Sequence, residues 1–149
     1  MKAENYTTIE FASRSVNEGF GRMAAACFAA QLDPTLDEVN DIKTAVSEAV
    51  TNAIVHGYPK EIGKIVMKLR LKGDNTLEIV VRDWGVGIPD VEQARQPLYT
   101  TGNEERSGMG FTVMETFMDE VEVKSLPGVG TTVIMKKTIE PDKEESTLE

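Results

Sequence analysis

The stretch LDEVNDIKTAVSEAVTNAIVHGYP (36–59) reads as one amphipathic helix with a marked beginning and end. Asp33 and Pro34 break the chain before it, and Thr35 with Glu38 has the spacing of a capping box. Leu36, Val39, Ile42, Val46, Ala49, Val50 and Ala53 recur at helical spacing and form the expected buried stripe. The helix is expected to reach His56 and to stop at Gly57, Tyr58 and Pro59. Glu48, Asn52 and His56 follow one another at i, i+4, so they share one edge beside that stripe. Polar side chains placed there can face a cavity.

Upstream, Thr7, Ile9 and Phe11 alternate with polar neighbours and predict a strand, and Ser15 with Glu18 predicts a second capping box. A helix over 16–32 follows, with Val16, Phe20, Met23, Ala24, Cys27 and Phe28 as its buried face and Arg22 turned to solvent. Downstream, Ile65, Met67, Leu69 and Leu71, then Leu77, Ile79 and Val81, alternate around a turn at Gly73, Asp74 and Asn75 and predict a hairpin. Periodicity is lost over 83–107, which predicts a long functional loop. A helix over 108–118 and a second hairpin, 121–124 with 131–137, complete the order. Runs of consecutive strands, with two helices before the first hairpin and one between the hairpins, imply an α+β two-layer sandwich with its helices on one face of a largely antiparallel sheet.

The chain has 149 residues, 40% of them hydrophobic, and the sequence suggests a single domain over 1–139 followed by an acidic tail, 140–149. No apolar run approaches a membrane span and the first residues carry no signal-peptide pattern, so a cytoplasmic protein without membrane contact is expected. Cys27 is the one cysteine, which excludes an internal disulfide and predicts a buried small hydrophobe. The formal charge of −9 argues against direct nucleic-acid binding.

Four features stand in order as candidates for chemistry: Glu48 with Asn52; Asp83, Gly85 and Gly87 after a strand; Ser107, Gly108, Met109 and Gly110 opening a helix; and Gly130 with Thr131 entering the last strand. Average residue usage gives roughly 0.4 chance matches to the first pattern but only about 0.04 to the Asp-x-Gly-x-Gly of the second. Physically the set suits a nucleotide with its metal. Glycines at a helix start let backbone N–H groups reach phosphate oxygens. Asp83 can accept a hydrogen bond from an exocyclic amine, while Gly85 and Gly87 let the backbone approach a flat base. Asn52 offers Mg²⁺ a neutral oxygen, Glu48 suits a general base, and Arg106 can neutralise charge on a terminal phosphate. Neither a P-loop nor a dinucleotide fingerprint is present, and Ser47, Thr100, Thr101 and Ser107 have no histidine to complete a triad.

At these residues the chain resembles the gyrase, Hsp90, histidine-kinase and MutL (GHKL) superfamily, whose ATP-binding domain is the Bergerat fold. Glu48–Asn52 resembles its N box, and Asp83–Gly87 and Ser107–Gly110 resemble its two glycine boxes. QLDPTLDEVNDIKTAVSEAVTNAIVHGY (31–58), RDWGVGIPD (82–90), EQARQPLYTT (92–101) and ERSGMGFTVMETFMDEV (105–121) are similar, more particularly, to the sporulation anti-sigma F family of serine kinases. That resemblance implies a homodimer that binds a sporulation sigma factor and uses Mg²⁺ and ATP, with ADP as product, to phosphorylate a serine of an anti-anti-sigma partner. It implies Glu48 as base, Asn52 as Mg²⁺ ligand, Asp83 as adenine contact and Arg106 as phosphate contact. Gly85, Gly87, Thr100, Thr101, Ser107, Gly108, Met109, Gly110 and Thr131 join the nucleotide set. Arg22, in EGFGR (18–22), matches a family arginine that contacts both protein partners, and the N-terminal strand and first helix contribute to the dimer. Two departures stand out: the segment after Thr101 is one residue shorter than the family pattern, and Trp84 replaces a common acid.

Two other functions compete. A module that binds ATP only as a structural ligand has no need of a base at Glu48. A histidine-kinase catalytic fragment needs a separate phosphoacceptor histidine, and the sole histidine, His56, lies in the N box.

Overall fold

The computed structural model describes residues 5–96 and 110–140. Strand β1 (Asn5–Ala12) leads into α1 (Val16–Ala29), whose end tightens into a 3₁₀ turn (Ala30–Leu32), and then into α2 (Leu36–Asn52). A π turn (Ala53–Gly57) precedes the hairpin β2 (Lys64–Lys72) and β3 (Thr76–Asp83). A short helix α3 (Val91–Ala94), the helix α4 (Gly110–Phe117) and the hairpin β4 (Glu120–Leu126) and β5 (Gly130–Thr138) follow. The sheet order is β1-β2-β3-β5-β4 and every neighbouring pair is antiparallel. This is the expected α+β sandwich. Ile65, Met67, Leu69, Leu77, Ile79 and Val81 face the helices, and Ile42, Val46 and Val50 of α2 meet them in a fully buried layer.

Two capping boxes were expected and one forms. At Thr35 the hydroxyl accepts the Glu38 N–H at 3.1 Å and the Glu38 carboxylate accepts the Thr35 N–H at 2.9 Å. Ser15 instead has helical backbone angles and no side-chain cap, and the Glu18 carboxylate turns along the helix to Arg22 at 2.8 Å.

Helix α1 is rotated from the expected orientation. Its buried residues are Gly21, Ala25 and Ala29, whereas Val16 is 78% and Phe20 53% exposed, with Met23 and Cys27 also at the surface. The reason is distance. A Cβ on Gly21 would lie 3.4 Å from the Phe11 ring and 3.5 Å from Val50, so only the small-residue face lets α1 sit this close to β1 and α2. Cys27 is therefore exposed rather than buried, and Arg22 is half-buried against Glu18 and Ser47.

Three smaller differences concern ends. Leu36 is exposed because it is the first residue of α2, before the stripe reaches the core. The α-helix stops at Asn52 and the last turn, through His56, widens to i→i+5 bonding. Within the expected loop after Asp83, Asp90 caps α3 by accepting the Gln93 N–H at 3.0 Å. No helix among the described residues is long and apolar enough to cross a membrane.

Thr35→Ala is expected to cost about 1 kcal/mol by loss of the reciprocal cap, and Ser15→Ala to stay within about 0.5 kcal/mol. Urea denaturation of the two variants checks the contrast.

Candidate functional site

A cavity of about 340 Å³ opens between α2 and the C-terminal end of β3. Ala49, Ala53, Val81, Val133, Ile88 and Phe111 give it apolar walls, and Asn52, His56, Asp83 and Thr131 supply its polar groups. The sequence places these together simply. One edge of α2 carries Asn52, the strand β3 ends on Asp83, and β5 pairs Thr131 directly with Asp83.

Asp83 is 5% exposed. Its Oδ1 accepts the Gly85 N–H at 2.9 Å, and the Thr131 backbone also donates to the carboxylate. Burial raises its pKa above the ordinary 3.8, and the two backbone donors and the Arg82 charge oppose the rise. Gly57 makes the burial possible, since a Cβ there would lie 2.9 Å from the Asp83 Cγ. Gly85 is equally constrained, as a Cβ there would fall 1.9 Å from the Gly57 carbonyl oxygen. Gly85 thus seats Asp83 from outside the cavity wall, while Gly87, at φ +79°, lies in the wall.

Glu48 and Asn52 meet the start of α4. A Cβ on Gly110 would be 3.1 Å from Asn52 Nδ2 and 3.3 Å from Glu48 Oε1, so the bare backbone there lets the helix begin against both side chains. An N-terminal helix end beside a carboxamide oxygen and a carboxylate can hold a phosphate with its cation and take up a proton. Mg²⁺ keeps waters and phosphate oxygens in its shell, so a site with one protein oxygen, that of Asn52, suits it. Thr100, Thr101, Arg106, Ser107, Gly108 and Met109 lie outside the described residues. Arg22 is not brought to the cavity.

Two positioning residues escaped sequence reasoning. Tyr58 is buried; its hydroxyl donates to the Lys64 carbonyl and accepts the Trp84 N–H, both at 2.7 Å, and burial raises its pKa. Ser125 accepts the Ile88 N–H at 2.7 Å, donates to the Gly130 carbonyl and lies 2.7 Å from the Thr131 hydroxyl. No spacing pattern marks either residue, because each ties its own segment to the loop after β3, 26 residues away for Tyr58 and 37 for Ser125. Trp84 does not enter the cavity. Its ring lies on the other face of the sheet, 4.5 Å from Lys64 Nζ and 4.6 Å from Arg82 Cζ.

The model of the histidine kinase-like ATPase domain matches residues 12–137. An anti-sigma F factor of Thermoanaerobacter sp. (strain X514) is 58% identical over 144 residues, which are 96% of this chain and the whole of that protein. The chain belongs to the anti-sigma F factor family. A second member, from Geobacillus kaustophilus, is 56% identical over 93% of this chain and 96% of its own length. The fold also matches a solved structure of the RsbU and RsbW domains of a Mycobacterium tuberculosis protein, with a TM-score of 0.64 and 22% identity over 91% of this chain and 32% of that one. The histidine kinase domain of the Erythrobacter litoralis blue-light activated kinase matches at a TM-score of 0.56 and 20% identity, over 82% of this chain and 61% of that one. The GHKL fold expected from the sequence is thus the fold of the family.

The raised pKa of Asp83 has a signed consequence. Above pH 3.8 the folded chain keeps a proton that the unfolded chain has released, so stability present below 3.8 is lost as pH rises through the folded value. Asp83→Asn, neutral throughout, is expected to gain stability relative to the parent across that window while still accepting the Gly85 N–H. Thermal denaturation of both proteins as a function of pH checks this.

Proposed function

We propose that this chain is an ATP-dependent protein-serine kinase and an anti-sigma factor. In this reading residues 1–139 act as one nucleotide-binding unit. ATP lies in the Asp83 cavity, its exocyclic amine donating to the Asp83 carboxylate. Asn52 would hold Mg²⁺, which supplies neutralisation of phosphate charge. The observation that carries the reading is the meeting of Glu48 and Asn52 with the bare start of α4 at Gly110.

Phosphoryl transfer leaves little covalent work to the protein beyond positioning and proton removal. Glu48 accepts the proton of the substrate serine as its oxygen bonds to phosphorus and ADP leaves. By resemblance, Arg106, Ser107, Gly108 and Met109, with Thr100 and Thr101, complete the phosphate contacts. The apolar walls formed by Ala53, Val81 and Val133 suit a flat base.

The names of the family's members support a sigma factor as the inhibited partner, and the resemblance at 31–58 and 105–121 supports a sporulation sigma factor and an anti-anti-sigma protein that carries the serine. Arg22 is assigned to both protein contacts. Its hydrogen bond to Ser47, one residue before the proposed base, at 3.4 Å supports that assignment. A homodimer through β1 and α1 is supported by two features: β1 is an edge strand, and the exposed face of α1 carries Val16, Phe20 and Met23.

Glu48→Ala is expected to lower phosphorylation of the anti-anti-sigma partner by about 10²–10⁴-fold and to leave binding of the sigma factor and of a non-hydrolysable ATP analogue intact. Labelled-phosphate transfer and co-purification read the two halves separately. Unchanged transfer would remove Glu48 as the base, and loss of both activities would contradict the division of roles.

A further inference from the structure

Five large apolar side chains, Ile62, Trp84, Val86, Leu126 and Val129, are exposed at one end of the sheet, and the nucleotide reading uses none of them beyond the edge of Val86. The backbone ties the segments of Trp84, Val86, Leu126 and Val129 together. The Gly128 N–H donates to the Val86 carbonyl at 2.8 Å, and the Val86 N–H donates to the Gly57 carbonyl at 2.9 Å. A Cβ on Gly87 would lie 2.2 Å from the Leu126 carbonyl oxygen, and one on Gly130 would lie 2.8 Å from the Trp84 Cα. The β4–β5 turn therefore packs on the loop after β3 as one piece. Ile62 and Val86 continue into a second, wider cavity of about 920 Å³ beside it.

The rim of this surface is basic in a chain whose formal charge is −9. Arg14 and Lys60 line the second cavity, and Lys64 and Arg82 sit against Trp84. Lys124 lies two residues before Leu126 on β4. The acids among them are Glu61 in the cavity, Glu122, 3.6 Å from Lys124, and Glu10, in the same cross-strand row as Arg82. The two cations beside Trp84 hold the ring in place on the surface, so ordering it adds little cost on binding. A fixed Trp with an Arg beside it, ringed by apolar residues, has the composition of an interface hot spot.

We propose that this end of the sheet docks a partner protein through an acidic segment that carries a bulky apolar side chain. The apolar side chain lies against Trp84, Leu126 and Val129, which the Gly130 approach brings to one corner of the sheet. The carboxylates meet Lys64, Arg82 and Lys124. Charge complementarity selects the acidic segment, and the apolar centre selects protein over nucleic acid, whose binding rests on phosphate neutralisation. The Trp84, Leu126 and Val129 corner shares no residue with the α1 face assigned above to the dimer.

The test uses the full-length chain and fluorescence anisotropy with a short labelled peptide of Glu and Asp containing leucines. A labelled single-stranded DNA oligonucleotide is the comparison. The peptide is expected to bind, with affinity reduced about tenfold or more in K64E/K124E, in L126D/V129D and in W84A. Melting temperature and ATP-analogue binding are expected to hold, because these side chains are exposed and outside the nucleotide cavity. K64E/K124E alone decides the matter if the apolar pair fails to fold. Absence of peptide binding, variants that bind like the parent, or tighter binding of the oligonucleotide would each overturn the proposal.

Discussion

A carboxylate at the end of a central strand can be kept out of water only if its neighbours replace the lost hydration. Asp83 meets that condition through backbone donors at Gly85 and Thr131 and through the missing side chains of Gly57 and Gly85. One point therefore joins three elements. The π turn after α2 must come within contact of β3, the loop after β3 must turn back over Gly57, and β5 must pair in register so that Thr131 falls opposite Asp83. Tyr58 fixes the same junction from outside, bridging the starts of β2 and of the loop with a single hydroxyl.

Helix α2 carries the other half of the arrangement. Its cap at Thr35 and its buried stripe set its rotation over the sheet, and that rotation turns Asn52 to the cavity and brings Glu48 against Gly110. The widened turn at 53–57 then delivers His56 to the wall and Gly57 to Asp83, which an unbroken α-helix would space differently. Apolar walls on either side leave Asn52, His56, Asp83 and Thr131 as the groups that orient whatever enters.

Much of this was legible in the residues. The hairpins, the cap at Thr35 and the shared edge of Glu48 and Asn52 follow from local spacing, and the structure places them as read, whereas His56 reaches the cavity through the π turn and not by continuing the α-helix. Helix α1 shows where spacing fails. Apolar and small residues surround it almost completely, and the choice between a large-residue face and a Gly21, Ala25, Ala29 face depends on how near α2 and Phe11 stand, a distance no window of sequence contains. Ser15 and Glu18 have the same spacing as Thr35 and Glu38, yet the backbone at Ser15 is already helical and Glu18 has Arg22 within reach. Tyr58 and Ser125 were invisible because the loop they hold, at Trp84 and Ile88, is distant in sequence from both.

The central claim is that Asp83 recognises an amine donor. Calorimetric titration of the full chain with ATP and with inosine triphosphate tests it most directly, because inosine presents an oxygen acceptor where adenine presents its exocyclic amine. A charged acceptor facing an acceptor loses its hydrogen bond and gains repulsion, so inosine triphosphate is expected to bind at least about tenfold more weakly. Equal affinity for the two nucleotides would contradict the account.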